Sequence, residues 1–393
     1  MQSADSDHFF QTDASQAQKE RKAGKAGNKH GNPLEMKSKI LAAIPDPSSP
    51  RATIFVAESA GCVRRVPIDS SEPQVTYRGP RAPVTCLSIG GKGDETIFAG
   101  SWDKDVWSWS IESGRPERKY SGHTDFVKAV VCARLSKHEL LISGGADRKI
   151  MVWDIETGRR LHTIQDPATT MLAVQHLAID PVLSSSDALV LVSASSDPHI
   201  RRWEITADGF AQLPETFHDR PGAERLTIHE HDTSVYRLVF DMTDDEGNLW
   251  TASADGTAKC LARARNFVAE DVFAHGDYVR AVVVTEQWAL TAGRDEDIKV
   301  WDRATGKLHC TLEGHFEEVT DLVLLRNAHG LAEMLCSVSI DRTIRTWPLA
   351  KAELEDVVRA EEAGKVCAAE EAEGGTNLLT AEEEAELAEL MDD

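Results

Sequence analysis

Histidine, a hydroxyl residue and aspartate recur together in this chain: His123 with Ser143 and Asp147, His275 with Thr291 and Asp295, and His315 with Ser337 and Asp341. An imidazole, a hydroxyl and a carboxylate are the parts of a hydrolytic relay, in which the ring takes the hydroxyl proton and the carboxylate orients the ring. Here the trio returns three times, with the hydroxyl residue four positions before the Asp and a Trp six positions after it, at Trp153, Trp301 and Trp347. An active site needs building once, whereas a triplicated set at fixed offsets reads as a scaffold device. The chain has no G-x-S-x-G, no glycine-rich phosphate loop and no H-E-x-x-H. His229-Glu230-His231 alternates as a strand does and reads as strand and loop polarity, not as a metal pair. The seven cysteines are at least 24 residues apart, so free thiols are expected in place of zinc or redox pairs. No catalytic residue, cofactor or metal is assigned, and the chain is read as not an enzyme.

The elements that carry these residues repeat. Blocks containing KIMVWD, DIKVWD or TIRTWP succeed one another, and the third strand of each block ends at Val66, Trp109, Trp153, Trp203, Leu261, Trp301 and Trp347. The spacings of 43, 44, 50, 58, 40 and 46 residues show one large excess, at 206–222, expected to be a surface insertion. Within a block the apolar residues form four short runs separated by turn signals, as in FVKAVVCARL, ELLISGG, KIMVW and RRLHTI. Each block is expected to be a four-stranded antiparallel sheet, too small to stand alone, that stacks on its neighbours. The fold class is all-β.

This pattern resembles the WD40 repeat family over residues 36–358. Gly122-His123 and Gly314-His315 stand at the heads of their copies, and Trp153-Asp154 and Trp301-Asp302 give the signature dipeptide. The resemblance implies a seven-bladed β-propeller in which His, Ser or Thr, Asp and Trp form a buried hydrogen-bonded tetrad. Three copies match in full; His231, Thr251 and Asp255 have Leu261 in place of Trp, Asp103 with Trp109 and Ser193 with Asp197 and Trp203 lack the His, and the first copy has none. The family closes its ring with a strand from one chain end. The C-terminal segment bearing Leu354 and Val358 is the expected source, with Asn32–Met36 as the alternative.

The resemblance also places a partner-binding top face at Trp102, Phe126, Lys128, Tyr236, Tyr278, Arg280 and Arg294. Aromatics and arginine dominate interaction hot spots, and the cations favour acidic or phosphorylated peptides. The expected function is a non-catalytic scaffold within an intracellular complex, as a monomeric subunit. Alternatives are a histone- or chromatin-associated subunit or a ubiquitin-ligase substrate receptor, although Trp-Asp-x-Arg is absent, and at a distance a propeller enzyme.

Charge divides the 393 residues further. The net charge is -22, of which residues 351–393 carry 15 acids against Lys351, Arg359 and Lys365. Residues 1–35 are expected to form a disordered, weakly basic arm, and 359–393 an acidic tail with a short amphipathic helix near 380–391. Its ridge, Leu387, Leu390 and Met391, would suit a basic or apolar groove, the bland reading being a solubilising tail. So acidic a chain disfavours direct nucleic-acid binding. No apolar run is long enough for a membrane span, and the sequence is expected to be cytoplasmic or nuclear.

Overall fold

A computed structural model describes residues 13–68, 75–166, 170–216, 224–243 and 246–360. Leu387, Leu390 and Met391 lie outside them. Seven antiparallel sheets, six of four strands and the fourth of five, follow one another around a ring, each running from an innermost to an outermost strand, with one added two-stranded hairpin. All seven expected strand ends, from Val66 to Trp347, fall in the third strand of a blade. No helix among the described residues is long and apolar enough to cross a membrane.

The third blade shows how the sequence sets this up. Val127–Leu135, His138–Gly145, Ile150–Asp154 and Arg160–Ile164 are short runs whose second and third members are almost wholly buried, while the fourth is half exposed. Buried on both faces, the middle strands read as nearly continuous apolar runs. The tight turns demand left-handed backbone at Ser136 (φ 55°) and Arg148 (φ 64°). The core lies between blades: Ile142, Val152 and Ile164 of the third pack against Val174, Leu191 and Trp203 of the fourth.

Between the first and last blades the ring is shut by backbone and core together. Ile40, Val56 and Val66 pack on Val323, Cys336 and Ile344, and Thr320 Oγ1 donates to the Ile40 carbonyl at 3.0 Å. The closing strand comes from the start of the chain, correcting the C-terminal expectation. Leu34–Glu35 pairs with Thr343–Pro348, Leu34 opposite Ile344, and the bonds Met36 N to Arg342 O and Thr346 N to Gly31 O, both 2.7 Å, extend the clasp. Residues 351–360, which carry Leu354 and Val358, are helical and cannot supply an outer strand.

The basic arm is also more structured than its composition suggests. Asp13–Lys25 forms a helix, α1. Its cations find partners far along the chain: Arg21 with Glu296 at 2.8 Å, Lys25 with Asp297 at 2.7 Å and Lys22 with Glu317 at 2.7 Å. Asn28 Nδ2 then donates to the Gly314 carbonyl at 2.8 Å, leading the chain into the clasp. Composition judges a segment by what it can bury itself, and here the acids come from the sixth and seventh blades.

The insertion of the fourth blade is partly sheet. Phe210–Gln212 pairs with one part of the third strand and Ile228–His229 with its first residues, so two segments share the outer edge.

Candidate functional site

In the three complete tetrads the geometry is a continuous chain of hydrogen bonds from Trp through the hydroxyl and the imidazole to Asp. His315 Nδ1 meets Asp341 at 2.8 Å, Nε2 meets Ser337 Oγ at 2.8 Å, and Trp347 Nε1 donates to Ser337 at 3.0 Å. His123 repeats it, bonding Asp147 at 3.0 Å and Ser143 at 2.9 Å, with Trp153 Nε1 donating to Ser143 at 2.9 Å. His275 turns its ring over, Nδ1 to Thr291 at 2.8 Å and Nε2 to Asp295 at 2.9 Å, with Trp301 donating to Thr291 at 2.8 Å. Since the indole N–H occupies the hydroxyl oxygen, the hydroxyl proton goes to the imidazole and the other ring nitrogen donates to the carboxylate. The hydroxyl is thus spent within the blade. Burial opposes ionisation of Asp341, yet the contact with His315 and the hydrogen bonds from Thr343 together hold the carboxyl below its usual range.

Incomplete copies reach the same end by substitution. In the fifth blade His231 bonds Asp255 at 2.8 Å and Thr251 at 2.7 Å without an indole. In the fourth, Trp203 donates to Ser193 at 2.9 Å; buried Arg201 joins Asp166 at 2.7 Å and Asp197 at 3.1 Å. In the second, Asp103 accepts from Trp107 at 2.9 Å instead of Trp109, whose indole donates to the Arg78 carbonyl at 3.0 Å. The first blade uses buried Glu58, which accepts from Arg64 Nε (2.8 Å) and Ser38 Oγ (3.0 Å).

What the scaffold positions is a ring of side chains at the channel mouth. Every innermost strand skips one residue in its pairing, between Ile40 and Ala42, Val84 and Cys86, Val127 and Ala129, Val174 and His176, Val235 and Arg237, Val279 and Ala281, and Val319 and Asp321. Such a bulge re-aims the extra side chain. The seven skipped residues, Leu41, Thr85, Lys128, Gln175, Tyr236, Arg280 and Thr320, all line one cavity in the channel.

Four of the seven residues expected on the top face, Trp102, Lys128, Tyr236 and Arg280, line that cavity. Phe126 stacks on Trp102 with ring centroids 4.9 Å apart, the two rings remaining 37% and 42% exposed. Arg280 lies over the Tyr236 ring at 4.4 Å and pairs with Glu318 at 3.0 Å, so its charge is partly met. Tyr278 and Arg294 are not brought to the cavity; they pack on each other at 5.1 Å in the sixth blade. Arg21 of α1 reaches the carbonyl of Asp295, next to Arg294, at 3.3 Å.

Reading offsets from a leading His missed Gln175, His176, Arg237 and Asp321, which also line the cavity. The fourth blade has no such His, and the usable signal was the apolar residue opening each innermost strand, followed by the bulged position. Among the described residues no group of three or more His, Cys, Asp or Glu is placed to hold a metal ion.

Comparison with known proteins bears on the same blades. Residues 71–110 match the family model described as WD domain, G-beta repeat, and residues 117–249 match that of the tRNA methyltransferase TRM82 WD40 domain. The chain is 30% identical to an uncharacterised WD repeat-containing protein of Schizosaccharomyces pombe, over 100% of both chains. It is 26% identical to the nuclear distribution protein PAC1 of Arthroderma otae over 65% of its length, and 26% identical to nuclear distribution protein nudF of Aspergillus niger over 71%. The chain spans 57% and 53% of those two proteins.

Proposed function

The chain belongs to the WD repeat family, and on that premise we propose that it is a non-catalytic scaffold whose channel mouth binds an acidic or phosphorylated segment of a partner protein. The observation that carries this is the half-exposed Trp102–Phe126 stack beside a bulge ring containing Lys128 and Arg280. Rigid aromatic area next to cations is what binding hot spots use, and side chains fixed by a closed ring lose little entropy on binding. Tyr278 and Arg294 would extend the surface along the sixth blade.

Affinity capture from native extract with the full chain, beside the Arg280→Glu/Arg294→Glu and Trp102→Ala/Phe126→Ala variants, tests the proposal. At least one partner should be depleted about tenfold or more by both variants. An unchanged partner set rejects the face.

A second reading is favoured by the match over residues 117–249: a subunit that accompanies a methyltransferase. Capture of a methyltransferase by the wild-type chain would select it.

A further inference from the structure

Below the bulge ring lies a second tier, made by the next residue of each innermost strand, and its donors are not all used. Arg237 gives its two terminal nitrogens to Asp321 at 3.3 and 3.2 Å, yet its Nε is buried with no hydrogen-bond partner. Nδ1 of His176, on the adjacent blade, is buried and partnerless as well. On the tier above, Lys128 Nζ donates to a neutral acceptor, Gln175 Oε1, at 3.1 Å. Burial, then the charge of Arg280, hold Lys128 below its ordinary value.

The acids here are already engaged. Asp321 accepts from the Ala43 amide at 3.1 Å besides Arg237, and Glu318 is held by Arg280. With His176 uncharged, three cations face two carboxylates, an excess of one positive charge. A buried donor without an acceptor is destabilising, so a ligand supplying acceptor oxygens would offset that penalty. Lys128, His176, Arg237, Arg280 and Asp321 line one cavity of about 230 Å³, and Glu318 does not. Drug-sized ligands occupy roughly 300–1,000 Å³, so this volume suits a small ion or the end of one side chain.

We propose that the neck of the channel is a binding site for a single oxyanion, a phosphate or carboxylate group, held by Lys128 Nζ, Arg237 Nε and His176 Nδ1. Arg237 Nε is an obligate donor, and the imidazole can present its N–H at Nδ1 or become protonated beside an anion. The site deepens the peptide-binding reading, and rests on it only for one source of the anion: the acidic or phosphorylated side chain of a docked segment. Free phosphate is the other source.

Thermal unfolding and titration calorimetry of the full chain with inorganic phosphate, and separately with the peptide acetyl-Gly-Gly-phosphoserine-Gly-Gly-amide, at constant ionic strength, test this. One or both should bind saturably, and Lys128→Met and His176→Phe should each weaken binding about tenfold or more. Arg237→Lys keeps a cation opposite Asp321 but removes the Nε donor, and should weaken binding similarly. Phosphate alone binding identifies a free ion, and the peptide displacing phosphate identifies a docked side chain. If neither probe binds, or if folded variants bind as the wild type does, the site is refuted. Phosphate binding together with an unchanged partner set in the Arg280→Glu/Arg294→Glu variant would refute the face and leave this site standing.

Discussion

Arg237 on the fifth blade reaches past the sixth to pair with Asp321 on the seventh, their closest atoms 3.2 Å apart. It can do so because the sixth blade places Ala281 at the equivalent position, after its bulge. The pair is a strut across the channel, and Asp321 is almost fully buried. Replacing Arg237 by Met should destabilise the protein by about 3 kcal/mol, since losing one member of a buried pair strands the other. Urea unfolding should show a partial return of stability in Arg237→Met/Asp321→Leu. Equal midpoints for wild type and the single variant would contradict the strut.

The tetrads should respond to loss of the hydroxyl as structure, not as catalysis. Ser337→Ala leaves Trp347 Nε1 and His315 Nε2 without their shared partner, at a cost of about 2–3 kcal/mol. Ser143→Ala should cost a similar amount, because His123 and Trp153 share Ser143 in the same way. Denaturant midpoints of both variants check this.

Stability should fall in acid in two stages. Burial lowers His176, His199 and His315 below the usual imidazole value, against the pull of Asp341 in the last case. A group whose folded value lies below its unfolded one binds fewer protons when folded, so stability declines as pH drops below about 6.5. Burial opposes ionisation of Asp147, Asp295 and Asp341, yet their His contacts together with neighbouring hydrogen bonds and charges hold them low, and their contribution is lost further down, below about pH 4. Unfolding midpoints should hold from pH 7.5 to about 6.5 and then decrease toward pH 5, less steeply in His315→Gln. A flat profile over that range would contradict the buried imidazoles.

Helix α1 should be released by salt. Its contacts are open to solvent on the helix side, Arg21 being 48% exposed and Lys22 and Glu317 28% and 35%, so they weaken at 1 M salt, where the screening length shrinks to about 3 Å. Hydrogen exchange of residues 16–25 should accelerate about tenfold or more in 1 M sodium chloride, or in Glu296→Gln/Asp297→Asn/Glu317→Gln at low salt. The innermost strands should keep their protection in both cases.

The clasp predicts an asymmetry between chain ends. Removing residues 1–36 exposes Thr343–Pro348 as an open edge, which should lower the melting temperature by several degrees and promote oligomers. Removing 361–393 should leave the melting temperature unchanged. Calorimetry and size-exclusion chromatography of the two truncations measure this.

The seven-fold repeat was readable because Trp and His must share one hydroxyl while Asp holds the other ring nitrogen, which fixes the offsets from hydroxyl to Asp to Trp, so His123, His275 and His315 announce their blades. The first blade was readable from strand spacing alone, for Glu58 and Arg64 do the tetrad's work with no recurring signature. Arg201, standing in for a missing imidazole, is unmarked in the same way. Two features were harder to read for a different reason, the closing strand at Asn32–Met36 standing only as the alternative and the seat of α1 not at all. Leu34–Glu35 is too short to show alternation, and the seat of α1 depends on acids more than 270 residues away, which no local window contains. In the candidate site, Lys128, Tyr236 and Arg280 were found by their distance from a His, whereas Gln175 follows no His and emerged from the bulge.

The clasp is synthesised first and used last. At about 5–20 residues per second, translating from Leu34 to its partner strand takes roughly 15–60 s. For that interval Leu34–Glu35 has no edge to pair with, and the ring cannot close. Translation speed and chaperone supply during that window should therefore govern how much of this protein reaches the native state, independently of how stable the finished disc is.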